Sequence, residues 1–244
     1  IAGLPMLDHL LASLGELDPT RTVVVVGDKA DQIEAAVEGR ADTCVQEPQL
    51  GTGHAVQQAE GALSGFGGDV LVLYGDVPFV TPDTMSAMLH RLHAEDSPVA
   101  VVLGFEPADP GHYGRVIADE VGNIAKMVEF KDATEEERAC RLCNSGLLAA
   151  RSEDLFALLD RVSNENAQSE YYLPDIVMIA MEEGRHPVAI SANEQEVTGI
   201  NSRAELAAAE AQYQELARHD AMAAGVTMHA PDTVFFSYDT HLAN

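Results

Sequence analysis

Asp76 closes a run of residues whose types suit phosphate chemistry. Val70-Leu71-Val72-Leu73 sets four aliphatic residues in succession, which predicts a strand buried on both faces, as in a parallel sheet. Tyr74-Gly75-Asp76-Val77-Pro78 then ends it, because proline cannot continue the ladder. In open α/β sheets, ligands bind just beyond the carboxyl ends of the strands. A carboxylate at such an end can hold a divalent cation. Magnesium takes hard oxygen ligands, often one or two carboxylates plus substrate phosphates. Taken alone, Gly75-Asp76 reads first as a turn.

Other polar residues stand at comparable places. Gly51-Thr52-Gly53 opens a helix, where glycine lets a ligand approach the backbone and unpaired amides favour acceptor groups. A structural turn explains the same three residues. Gln46 ends the preceding strand, and its amide offers a donor and an acceptor to the edge of a nucleobase. Glu129 falls in an otherwise apolar strand, between Val128 and Phe130. A carboxylate buried there needs a partner: a sugar hydroxyl, Lys131 or a backbone amide. Gly114 and Asn144 lie on strands of the same half, and Asn144 before Ser145-Gly146 also suits a bulge. Tyr171 and Tyr172, after Glu170, can pack on a sugar face or on the core. Asn201 precedes Ser202, so helix-start chemistry accounts for it. His54 has no evident acid–base partner and reads as structural.

These residues need a frame. Helical spacing predicts helices over Pro5–Gly15, Ala30–Val37, Pro82–His93, Glu153–Arg161 and Leu173–Glu183. A further helix follows Gly53 and carries Val56, Ala59 and Leu63. Strands are predicted at Thr22–Val26, Thr43–Gln46, Val70–Leu73 and Val99–Leu103. The alternation implies an α/β fold with a mainly parallel central sheet and helices on both faces. After Phe105 the rhythm changes. Gly114–Ile117 and Ile124–Phe130 read as paired strands around an Asp119–Asn123 turn, with further strands at Cys143–Ala149, Val188–Ile190 and Val197–Ile200. Lys131–Arg138 reads as a loop or short helix. A long helix is predicted from Ser202 to Ala224, opened by the capping box Ser202…Glu205 and closed by Gly225.

Composition narrows the partners. The chain has 244 residues, 46% of them hydrophobic and 22% charged, which is globular composition. The net charge of −26 opposes a nucleic-acid footprint. With only 14 Lys and Arg, anionic substrates would have to be met by a metal or by a few gathered cations. Cys44, Cys140 and Cys143 do not form a disulfide framework. Cys140-x-x-Cys143 is a lone pair, a weak basis for zinc or redox chemistry. Unpaired thiols and the lack of a signal-peptide layout imply a cytoplasmic protein, and no apolar run reaches membrane-spanning length. The opening Ile1-Ala2-Gly3 and the closing Asp239–Asn244 both read as cut ends.

The order of the motifs says more than any one of them. Gln46, then Leu50-Gly51-Thr52-Gly53-His54-Ala55, Leu73-Tyr74-Gly75-Asp76-Val77-Pro78 and Tyr113-Gly114-Arg115 come in the first half. Val128-Glu129-Phe130-Lys131, Asn144-Ser145-Gly146, Glu170-Tyr171-Tyr172 and Gly199-Ile200-Asn201 follow. This order closely resembles the uridylyltransferase domain of the bifunctional bacterial family that makes UDP-N-acetylglucosamine, over nearly the whole chain. In that family an N-acetylglucosamine-1-phosphate uridylyltransferase is joined to a glucosamine-1-phosphate acetyltransferase.

The resemblance implies a Rossmann-like nucleotidyltransferase fold. It also implies transfer of uridylyl from UTP to N-acetylglucosamine 1-phosphate, giving UDP-N-acetylglucosamine and pyrophosphate for cell-wall and lipopolysaccharide precursors. It assigns Gln46, Gly51 and Thr52 to the uracil, Asp76 and Asn201 to Mg2+, and Gly114, Glu129 and Asn144 to the N-acetylglucosamine. Glu170, Tyr171 and Tyr172 would line the same pocket, with Tyr74 and Gly75 beside Asp76.

By domain, it implies a transferase over residues 1–200 that lacks its first strand and glycine-rich basic loop. A linker helix would follow over 201–225, and 226–244 would start the connection to a left-handed β-helix through which the family forms trimers. The family's Tyr-Tyr is usually followed by a threonine near the sugar, and Leu173-Pro174 stands there instead. Alternatives are another sugar-phosphate nucleotidyltransferase, a fragment that binds the sugar nucleotide without turnover, and a glycosyltransferase of similar fold. The missing Asp-x-Asp at the Asp76 strand end argues against the last.

Overall fold

The aliphatic runs form strands in the computed structural model, which describes residues 1–242; Ala100–Phe105 is buried along its whole length, whereas Val23–Val26 and Asp69–Val72 are mostly half-buried. The first half alternates as the spacing predicts: α1 (Met6–Gly15), β1 (Val23–Val26), α2 (Ala30–Val37), β2 (Asp42–Val45), α3 (Thr52–Gln58), β3 (Asp69–Val72), α4 (Pro82–Leu92) and β4 (Ala100–Phe105). Then come β5 (Arg115–Ala118), β6 (Ile124–Val128), α5 (Glu135–Arg138), β7 (Cys143–Arg151), α6 (Ser152–Leu159), α7 (Asp175–Glu182), β8 (Val188–Ala192), α8 (Glu194–Val197) and α9 (Arg203–Ala223).

Alternation along β4 and β7 divides the core into two layers. Ala100 and Val102 of β4, with Leu148 and Ala150 of β7, face Leu155, Leu159, Ile176 and Val177 of α6 and α7. Val101, Leu103 and Phe105, with Leu147 and Ala149, face Leu10 of α1 and Met85, Met88 and Leu92 of α4. The period of two sends neighbouring residues to opposite faces, and both faces are covered by helices. Each of the fully buried α4 side chains contributes roughly 1.5–3 kcal/mol.

Strand β7 is the hub. It runs antiparallel to β3, β4 and β5, while β4 runs parallel to β8. Strands β3, β4, β5 and β8 therefore point one way, so the expected common direction holds, with β7 inserted against it and β6 returning on β5. Strands β1 and β2 form a separate parallel pair. Among the described residues, β3 is paired only to β7.

Four expectations are corrected. The strand before Asp76, β3, is half-buried and antiparallel to its one described neighbour, not doubly buried in a parallel ladder. Val197–Ile200 is not a strand. Val197 ends the short helix α8, and Ile200 N donates to the Asp76 carbonyl at 2.9 Å. Glu129 does not lie in a strand, because β6 ends at Val128 and the chain turns, Asp132 N donating to the Glu129 carbonyl. Helix α3 stops at Gln58, short of Leu63, in a run of turns.

The capping box forms as expected. Ser202 Oγ accepts from Glu205 N at 3.1 Å, and Glu205 Oε2 accepts from Ser202 N at 2.8 Å. Beyond α9 the chain turns back along the helix. Gln214, 2% exposed, donates to the Phe236 carbonyl and accepts from the Phe236 N–H, each at 2.7 Å. Tyr238 N donates to the Ala2 carbonyl at 2.9 Å. Of the expected connecting segment 226–244, Ala243 and Asn244 lie outside the described residues.

Candidate active site

Gly199 stands between the side chains of Asp76 and Asn201. A Cβ added at 199 would sit 3.2 Å from Asp76 Oδ2 and 3.4 Å from Asn201 Nδ2. The Ile200–Asp76 backbone hydrogen bond draws the start of α9 onto the β3 exit. Ser202 rather than Asn201 caps the helix, and only the Asn201 backbone N–H is used there, donating to Glu205 Oε2 at 2.6 Å. Helix-start chemistry therefore leaves the Asn201 side chain for Asp76. Burial pushes the Asp76 carboxyl above its ordinary range. A carboxylate and an amide oxygen are hard donors and fit magnesium, provided substrate or water oxygens complete the shell. Among the described residues, no cluster of three or more His, Cys, Asp or Glu offers a self-sufficient metal cage.

Tyr74 links this corner to the rest. Its phenol is pushed up to about 12, chiefly by burial and less by the Glu129 and Asp76 carboxylates, against a hydrogen bond with Thr52 that acts the other way. The phenol stays protonated at any working pH, and it lies between Thr52, Glu129 and Asp76. Its ring rests on Gly146, which bulges out of β7 with φ +87°.

Gly114, Glu129 and Asn144 line one small cavity, together with Arg115, Pro174 and Asp175. The Glu129 carboxylate lies against Gly114, where an added Cβ would meet its oxygens at 3.2 and 3.3 Å. Asn144 N donates to the Gly114 carbonyl at 2.9 Å, and Asn144 Oδ1 accepts from Gly146 N at 3.0 Å. Burial raises the Glu129 carboxyl, and the charges of Asp175 and Asp132 raise it again. Lys131 is not its partner; that ammonium donates to Gln168 Oε1. Arg115, 2% exposed, gives its guanidinium to the carbonyls of Pro110, Gly111, Tyr113 and Arg138. It fixes the loop that leads into Gly114 and leaves the Glu129 oxygens for hydroxyl donors.

The Gly51-Thr52-Gly53 turn meets protein backbone. Tyr171 N donates to the Leu50 carbonyl and Gly53 N donates to the Tyr171 carbonyl, each at 2.8 Å. A Cβ at Gly51, where φ is +111°, would stand 2.6 Å from the Tyr171 carbonyl oxygen. One at Gly53 would stand 3.0 Å from it. The Gly53 amide is thus occupied, contrary to the expectation of unpaired amides, and both glycines admit the Glu170-Tyr171-Tyr172 segment. Thr52 Oγ1 accepts from Leu173 N at 3.0 Å. Tyr172 lies near Glu129 and Glu170, whose charges add to burial in raising its phenol.

Gln46 lies at the carboxyl end of β2, its N–H donating to the Val26 carbonyl at 2.8 Å. Its Nε2 is 2.9 Å from the Gly51 carbonyl and 3.0 Å from His54 Nδ1. His54, expected to lack a partner, therefore touches a candidate base-reading residue. Asp175 was also missed, since beside Pro174 it reads as an ordinary helix-start acid. The cysteines are free, and the Cys140 thiol donates to the Val116 carbonyl.

A family model described as the MobA-like NTP transferase domain matches residues 1–140. The chain belongs to the MobA-like NTP transferase family. Among curated relatives of this NTP transferase, "Bifunctional protein GlmU" of Sphingopyxis alaskensis is 65% identical over 242 residues, covering 99% of this chain and 53% of the relative. The protein of the same name from Novosphingobium aromaticivorans is 63% identical over 243 residues, covering 99% and 54%. The kinship expected from the motif order is borne out, and the chain spans about half the length of these relatives.

Solved structures share the fold at low identity. A CMP:2-keto-3-deoxy-manno-octonic acid synthetase in complex with CTP superposes with TM-score 0.64 at 16% identity, over 88% of this chain and 90% of the other. Apo UDP-glucose pyrophosphorylase gives 0.63 at 16% identity, over 87% and 88%. The Rossmann-like nucleotidyltransferase fold is thereby established. Among the described residues no helix is long and apolar enough to cross a membrane.

Proposed function

We propose that this chain carries the transfer of uridylyl from UTP to N-acetylglucosamine 1-phosphate, as a cytoplasmic, magnesium-dependent pyrophosphorylase. The observation that carries the reading is the pairing of Asp76 with Asn201 around Gly199, reached through Tyr74 from the Glu129 cavity. The identity to two proteins named GlmU supports the choice of substrates.

Gln46, Gly51 and Thr52 hold the uracil. Gly114, Glu129 and Asn144 receive the N-acetylglucosamine, with Glu170, Tyr171 and Tyr172 along its edge. Glu129, raised by burial and without a cation, suits neutral hydroxyl donors rather than an anionic sugar acid. The neutral Tyr74 phenol and Gly75 lie where the two substrates meet. Asp76 and Asn201 hold the Mg2+, which when bound neutralises charge between the two phosphate groups. A phosphate oxygen of the sugar phosphate attacks the α-phosphorus, and pyrophosphate leaves in line. The residues act by alignment and charge placement, as in phosphoryl transfer generally.

In the longer protein, residues 1–200 form the transferase unit, α9 links it onward, and 226–244 leads to an acetyltransferase β-helix that builds a trimer. The test is magnesium-dependent pyrophosphate release from UTP with N-acetylglucosamine 1-phosphate. CTP, ATP and glucose 1-phosphate serve as competitors for the role. Faster release with another pair would reassign the substrates, and no release with any pair would remove the activity.

A further inference from the structure

We propose that His54 is a positioning residue that fixes the Gln46 amide so that the nucleotide site accepts uracil and rejects cytosine. This rests on the uridylyl-transfer reading and deepens it. The Gly51 carbonyl can only accept, so the nitrogen of the Gln46 amide must face it at 2.9 Å. The second amide hydrogen points at His54 Nδ1, 3.0 Å away. Both donors of Gln46 are then turned into the protein.

Its oxygen has no hydrogen-bond partner among the described residues, and no buried polar side-chain atom lacks one. Gln46 Oε1 is therefore an unpartnered acceptor that is not fully buried. Uracil answers with its N3–H. Cytosine presents a bare N3 at the same place and leaves two acceptors opposed.

The arrangement requires a neutral ring with Nδ1 bare and the proton on Nε2. Gln58 Nε2 lies 3.2 Å from that nitrogen and donates to the His54 carbonyl at 3.1 Å; a neutral ring cannot accept at both nitrogens, so the longer Gln58–Nε2 contact gives way and the Gln58 amide keeps the carbonyl. Tyr171 packs beside the ring at a centroid distance of 6.2 Å, which limits its rotation. Without the imidazole, only the Gly51 carbonyl would oppose a flip of the Gln46 amide. A flipped amide offers donors to the site and suits cytosine.

The experiment measures UTP and CTP affinity by calorimetry in the intact protein, His54→Phe and His54→Asn, with pyrophosphate release as a second readout. Phe keeps the packing without an acceptor, whereas Asn carries an amide oxygen close to the place of Nδ1. The preference for UTP is expected to fall about tenfold in His54→Phe, the worth of about one hydrogen bond. It should do so through KM with kcat little changed, and His54→Asn should restore it to within about threefold. An unchanged preference in His54→Phe, a loss that Asn does not rescue, or a wild type that binds CTP as well as UTP would each overturn the inference. Wild-type binding preference without pyrophosphate release would instead fault the reaction while leaving the role of His54 standing.

Discussion

Tyr74 rests on Gly146 so closely that a methyl group at 146 would stand 2.4 Å from the ring carbon Cε2. The contact ties the loop after β3 to the bulge in β7, and with it the Asp76 corner to the Asn144 cavity. Gly146→Ala adds that methyl at φ +87°, where an L-residue is strained in any case. The variant should lose roughly 2–4 kcal/mol and bind UDP-N-acetylglucosamine more weakly as Tyr74 is displaced. Thermal unfolding and calorimetry check both; an unchanged melting temperature would show that the ring simply moves aside.

Asp76→Asn keeps shape and removes the charge. Turnover should fall by about 100-fold or more, because two phosphates then meet without their metal anchor. Melting temperature should hold or rise, since burial already disfavours the ionised carboxylate. Full activity in this variant would end the assignment of Asp76 to the metal.

Glu129 makes stability fall as pH rises. Its folded carboxyl is raised from the ordinary value of 4.5 by burial and by Asp175 and Asp132. The folded state therefore holds the proton more tightly than the unfolded chain. The contribution is fully present below 4.5 and is lost as pH climbs through the raised folded value. Glu129→Gln should unfold at a higher temperature than the parent at pH 7, with little difference at pH 4, while binding the sugar nucleotide more weakly. A variant that is less stable at pH 7 would mean that the carboxylate has found a donor.

Gln214→Leu tests the return of the chain along α9. It removes both hydrogen bonds to Phe236 and strands that residue's N–H and C=O, one of the more costly outcomes for buried backbone. A loss of about 2–4 kcal/mol is expected, with pyrophosphate release little changed below the melting point. Proteolysis after Ala224 should quicken in the variant, and an unaltered digestion pattern would argue against a clasp.

Much of this site was legible because strand ends announce themselves. The aliphatic run before Asp76 and the alternation of helices and strands gave the sheet and the edge at which ligands gather. What stayed hidden were contacts between distant segments. Gly51 and Gly53 read as room for a ligand, but their freedom serves Tyr171, which no local pattern reveals. Thr52 and Leu173 are bonded across 121 positions. His54 looked idle because its partner is an amide, and amides carry no signature in spacing. Glu129 reads as part of a strand because Phe130 prolongs an apolar rhythm that the backbone abandons at Val128. Asn201 has two competing explanations, and the geometry of the cap uses its backbone N–H at the helix start while leaving its side chain over.

The position of β7 bears on how such a site can change. Its residues are held on both edges and both faces, so amide exchange there should be slowest and Asn144 and Gly146 should have little freedom to drift. On the proposed reading, a different sugar is accommodated by exchanging the side chains around Asn144 and Gly146 rather than by moving the strand that carries them.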